Sequence, residues 1–173
     1  MRSWRRGGTT GNLGLVWGWR TISPTWRGLW GNPDLPLDYR TDYMQKIVVM
    51  LTDGNNEFYN LPNGENGDPT TPSDFTAYGR VNAPGPVGLA AATTGAGLTI
   101  LNNRMSAICD SMKEEDILVY TIVFGTSASA TTRELYEDCA TNAAMYYWAQ
   151  NNAQIGTVFR SIGGQLANLL IIE

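Results

Sequence analysis

Apolar residues along this chain come in two kinds of block: unbroken runs, and recurrences at three- and four-residue spacing. The run Ile47-Val48-Val49-Met50-Leu51, bounded by Lys46 and by Thr52-Asp53-Gly54, predicts a strand over 46–52 that is buried on both faces. A second run from Ile117 to Phe124 is closed by Gly125, and Met145-Tyr146-Tyr147-Trp148 makes a third, shorter one. Leu98, Leu101, Met105, Ile108 and Met112 follow helical spacing, as do Ile155, Phe159, Ile162, Leu166 and Leu169. Thr131 or Thr132 is placed to cap a short helix that runs to about Cys139. The order strand, helix, strand, helix, strand, helix predicts an α/β fold, doubly wound, with a mostly parallel sheet and helices on both faces. Right-handed crossovers would bring Asp53, Gly125 and the residues after Trp148 to one edge of the sheet. In open α/β sheets that edge is where ligands bind.

The remainder is less regular. Gly7-Gly8-Thr9-Thr10-Gly11-Asn12 reads as a glycine-rich turn leading into a helix with Leu13, Val16 and Trp17 on one face and Thr9 or Thr10 near its N-cap. Pro24 stops that helix, and residues 23–43, rich in Trp, Gly and Pro, read as an irregular loop whose Trp26 and Trp30 cover the core. From Asn55 to about Gly95 runs an irregular insertion dense in Asn, Gly, Pro and Thr, longer than compact domains usually carry without a function. A calcium loop starting at Asp53 fails its template, because Phe58 stands where Gly is needed and Gly64 where Glu is needed.

Composition narrows the chemistry. The absence of His removes Ser-His-Asp and Cys-His catalysis and every His-based zinc site. The Ser127-Ala128-Ser129 loop lacks both the Gly-x-Ser-x-Gly elbow and a His partner, which argues against a nucleophile there. Cys109 and Cys139 are the two cysteines, open to one disulfide in an oxidising compartment or to two separate buried thiols. Net charge is −4, with seven Lys/Arg against three acids before residue 47. Those basic residues alternate with Trp and Gly rather than clustering, which argues against nucleic acid as a partner. No apolar run is long enough for a membrane span, and Met1 to Arg6 precede no apolar core of a signal peptide.

Several segments in order resemble the von Willebrand factor type A domain, and more closely its version at the C-terminal end of TadG-type proteins of Flp/Tad pilus assembly. They are Gly7-Gly8-Thr9, Leu13 to Arg20, Ser23-Pro24, Lys46 to Gly54, Ile108-Cys109 with Lys113, Val119-Tyr120-Thr121-Ile122, Cys139-Ala140, Tyr146-Tyr147 and Phe159-Arg160-Ser161-Ile162. The resemblance covers nearly all of residues 1–173 and implies a partial domain of this kind, missing its first strands, with the insertion at about 55–95. It implies a metal-ion-dependent adhesion site in which Thr9 and Asp53 are ligands. The Asp-x-Ser-x-Ser loop that completes such sites is absent from the sequence. Mg²⁺ or Mn²⁺ is therefore expected to bind weakly at most, since two ligands replace little of the ion's hydration. The resemblance further implies a Cys109–Cys139 disulfide, a periplasmic or cell-envelope location, and a non-enzymatic role in binding a protein partner, a pilus or envelope component. A sheet without its first strand would expose an edge and an apolar face, inviting self-association or completion by another polypeptide. The competing reading is an α/β hydrolase or phosphatase acting through Asp53.

Overall fold

A computed structural model describes residues 9–58, 76–79, 81, 88–91 and 93–169. The three apolar runs are strands: β1 (Ile47–Thr52), β2 (Leu118–Phe124) and β3 (Tyr146–Ala149). All pair in parallel, in the order β1-β2-β3, with Ile47 opposite Leu118 and Thr121 opposite Tyr146. Among the described residues four α-helices accompany them: α1 (Gly11–Ile22), α2 (Thr94–Glu114), α3 (Ala130–Cys139) and α4 (Asn152–Leu169). The fold is therefore α/β with a parallel sheet. The residues divide between two compact units, Met1–Trp17 with Asn56–Ile108 and Gly18–Asn55 with Cys109–Glu173.

The second unit holds the sheet. Side chains alternate across β2, so its two faces meet different helices. Tyr120 and Ile122 pack with Ala149 of β3 and with Val158 and Ile162 of α4. On the opposite face the buried Thr121 hydroxyl donates to the Tyr136 carbonyl of α3 at 2.6 Å. Helices thus lie on both faces. β2 is buried through its middle because it is covered on both sides, whereas β1 borders the sheet among the described residues, with Val49 and Leu51 exposed. Cys109 near the end of α2 and Cys139 at the end of α3 form a disulfide, with Cα atoms 5.2 Å apart.

Four expectations change. β1 is not buried on both faces as its apolar run predicts, because it borders the sheet and leaves Val49 and Leu51 about half exposed. The N-cap of α3 is Ser129 rather than Thr131 or Thr132, its side chain accepting from the Thr132 N–H. Trp17 is exposed while Asn12 and Leu15 are the buried residues of α1, so the inward stripe is rotated from the one the apolar spacing predicts. Trp26 is half-buried and Trp30 exposed, the two rings stacked on each other at 5.8 Å instead of covering the core.

The first unit draws part of its core from the irregular stretch. Phe58, Val81, Leu89 and Ala91 pack with Leu101 of α2, and Tyr78, Leu98 and Ile100 adjoin them. Gly97 permits this approach, because a Cβ there would lie 2.9 Å from Val81 and 3.1 Å from Phe58. Residues 59–75, 80, 82–87 and 92 of the 55–95 insertion, and the Gly7-Gly8 turn, lie outside the described residues.

Candidate functional site

The carboxyl edge of the sheet in the second unit gathers the polar side chains that follow the strands. β1 ends at the buried Thr52, whose hydroxyl donates to the Gly54 carbonyl at 2.8 Å and closes a tight bend. The bend turns the Asp53 carboxylate into solvent. Behind it, the Ser127 hydroxyl donates to the Asp53 carbonyl at 2.6 Å. The Asn55 side-chain oxygen accepts from the Ser129 N–H at 2.8 Å and from the Thr132 hydroxyl at 2.7 Å. Two loops are thereby locked together by short polar side chains, each suited to turns and helix starts.

β2 is followed by Gly125, at φ +82, a left-handed conformation that glycine adopts without a Cβ clash. Its N–H donates to the Ala149 carbonyl at 2.7 Å, and its carbonyl accepts from the Trp148 indole at 2.8 Å. Arg133 stacks on that indole, its guanidinium 4.5 Å from the ring centre, and donates to the Ala128 carbonyl. Such stacking orients both groups and contributes about 0.5–1 kcal/mol at exposed positions.

The rim carries one exposed carboxylate, one stacked guanidinium, hydroxyls already committed to hydrogen bonds, and an exposed indole. Tyr136 sits beneath it. Burial above all pushes its phenol above the ordinary value; its hydrogen bond with Thr52 works the other way, and the nearby Asp53 charge adds to the rise. The phenol therefore stays protonated at neutral pH and supplies no base. This arrangement can recognise donors and cations by hydrogen bonding. Asn55, Ser127, Ser129 and Trp148 share one signal in the sequence, a place within about five residues of the end of a parallel strand, whereas Thr132 and Arg133 come from the first turn of α3.

Thr9 belongs to the first unit and Asp53 to the second. Thr9 is exposed, and its carbonyl accepts from the Glu57 N–H at 2.8 Å in an isolated antiparallel bridge. Beside it, the Gly11 N–H at the start of α1 donates to the Asn56 side chain, which in turn donates to Asn102. Cys109 and Cys139 are joined as the resemblance implies. Among the described residues no group of three or more His, Cys, Asp or Glu side chains is arranged to hold a metal, and no helix is long and apolar enough to cross a membrane. Comparison of the chain with protein-family models, with curated proteins and with solved structures yields no significant match.

Proposed function

We propose that this chain is a non-enzymatic protein-binding module of the von Willebrand factor type A kind, nearest to the C-terminal part of TadG-type pilus-assembly proteins. The observation that carries the reading is Asp53, an exposed carboxylate at the end of a parallel strand, on a bend held from behind by Ser127. Recognition needs a rigid polar rim, and the hydrogen bonds from Ser129 and Thr132 to Asn55 provide one. The disulfide fits an oxidising compartment such as the periplasm or cell envelope.

A cation is assigned no step. Thr9 and Asp53 would bring one hydroxyl and one carboxylate, while Mg²⁺ takes about six oxygens in near-octahedral array. The Asn55 side-chain oxygen beside Asp53 already accepts two hydrogen bonds within the protein, and Ser127, whose hydroxyl proton goes to the Asp53 carbonyl, would add only one neutral oxygen. This donor set does not fit a firmly held Mg²⁺ or Mn²⁺, and the adhesion site is a remnant. The partner engages the rim directly, with Asp53 accepting from a cationic or hydroxyl group.

The competing hydrolase reading needs Asp53 as nucleophile or base. A screen with p-nitrophenyl acetate and p-nitrophenyl phosphate is expected to give no turnover above buffer for wild type or for Asp53→Asn. Turnover by wild type that disappears in Asp53→Asn would replace the binding reading with the enzymatic one.

A further inference from the structure

Residues 27–38 of the second unit form a compact loop that presents apolar side chains outward. Its neck is closed by the Gly28 N–H donating to the Leu35 carbonyl at 2.9 Å. Arg27 reinforces the closure by donating from Nε to the Pro36 carbonyl at 2.9 Å and by pairing with Asp38. Inside the loop, Asn32 accepts from the Asp34 N–H through its side chain and from the Leu35 N–H through its carbonyl. Below the neck, the buried Lys46, just before β1, donates its ammonium protons to the carbonyls of Ile22 at the end of α1 and of Leu37 near the end of the loop. Arg20, Trp26 and Trp30 stack in succession, and Trp30 is the outermost layer.

Loops with close ends and internal packing are frequently functional. Here the fixed framework exposes Leu29 by 66%, Trp30 by 47%, Leu35 by 46% and Leu37 by 41%. The neck bond holds the two limbs of the loop together at Gly28 and Leu35, and the four exposed apolar side chains all belong to this one fixed loop. An apolar patch held this way loses little conformational entropy on binding, and an exposed Trp is the side chain that most often anchors an interface. Charge selects the partner. Asp38 is matched by Arg27, while Asp34, at the apex, has no ion pair among the described residues. The patch is therefore apolar with an unmatched negative charge at its tip, which disfavours an anionic lipid surface and favours a cationic one.

We propose that the 27–38 loop is a second docking surface, separate from the Asp53 rim, and that it binds a basic amphipathic segment of a protein partner. The apolar face of that segment lies over Leu29, Trp30 and Leu35, and its Lys or Arg residues meet Asp34. The test uses the full chain and two labelled synthetic helical peptides of equal length, one built of Leu and Lys and one of Leu and Glu, read by fluorescence anisotropy. Phosphatidylcholine vesicles with and without phosphatidylglycerol serve as the lipid arm. The Leu/Lys peptide is expected to bind, with affinity falling about tenfold or more in Trp30→Ala and in Leu29→Ser at unchanged melting temperature. In Asp34→Asn the affinity falls about two- to threefold and depends less on salt. Equal binding of the Leu/Lys peptide to wild type and Trp30→Ala, or no binding to either, overturns the proposal. Equal binding of the Leu/Glu peptide or of vesicles also overturns it, as does a dimer in sedimentation that disappears in Trp30→Ala.

Discussion

Replacing Cys109 and Cys139 together by Ala is expected to cost about 3–4 kcal/mol of stability. The two cysteines lie 30 residues apart in sequence. Opening a loop of that length restores to the unfolded chain roughly the entropy that gives this figure. Both side chains are buried, so the bond also fixes the end of α2 against the end of α3 beneath the sheet. For a chain of this size the loss corresponds to a fall in melting temperature of roughly 10 °C. Urea unfolding of the double variant against wild type measures it. A difference below about 1 kcal/mol would mean that packing alone holds the two helices.

Ile122→Ala is expected to destabilise by about 3–4 kcal/mol, because it removes three carbons from a fully buried position and leaves a cavity. Ile122 lies at the centre of the cluster formed with Tyr120, Ala149, Val158 and Ile162, between Leu51 of β1 and Tyr147 of β3. The neighbouring Leu51 is the internal control. It shares the sheet face of Ile122 but is about half exposed, so Leu51→Ala is expected to cost about 1 kcal/mol or less. Chemical denaturation of the two variants checks both the magnitude and the contrast. Equal losses would mean that β1 is covered as fully as β2.

The contrast between these strands marks how much of the fold is legible in the sequence. Runs such as Ile47 to Leu51 and Ile117 to Phe124 specify strands because β-branched residues fit a pleated, packed surface. They do not say which strand lies at the border, since both runs are predominantly apolar, Thr121 apart; exposure of Val49 and Leu51 is decided by which elements cover them. The helices α2 and α4 are legible from spacing alone. Phe58, Val81, Leu89 and Ala91 are not, because they lie in stretches rich in Gly, Asn, Pro and Ala and reach the core through packing against α2 rather than through any local period. Trp30 shows the converse. Size and apolarity point inward, yet its nearest partner is Trp26 and the stack stands at the surface.

Lys46 is a further case. At the head of an apolar run it reads as a boundary in solvent, but its stem is buried and its ammonium is bound by the carbonyls of Ile22 and Leu37. Long basic side chains can do this because the methylenes pack while the charged end finds oxygen partners. Desolvation, the largest influence, lowers its pKa; Asp38 opposes the shift and Arg27 adds to it.

Of the candidate site, Asp53 is legible because Thr-Asp-Gly at the end of a buried strand delivers a carboxylate to the sheet's carboxyl edge. Its surroundings are harder to foresee. Ser127 and Ser129 come from the loop after β2 and Thr132 from the start of α3, all more than seventy residues away in sequence, and parallel pairing of β1 with β2 is what brings them to Asp53 and Asn55. Thr9 enters through family resemblance alone, and in the structure it is part of the unit that lacks the sheet.

The most direct measurement is a calorimetric titration of the full chain with Mn²⁺ and Mg²⁺. A protein-binding rim with too few oxygen ligands for a cation should give only heats of dilution, or binding no tighter than about millimolar. A micromolar site that vanishes in Asp53→Ala would contradict this account and place a metal at the centre of what the protein does.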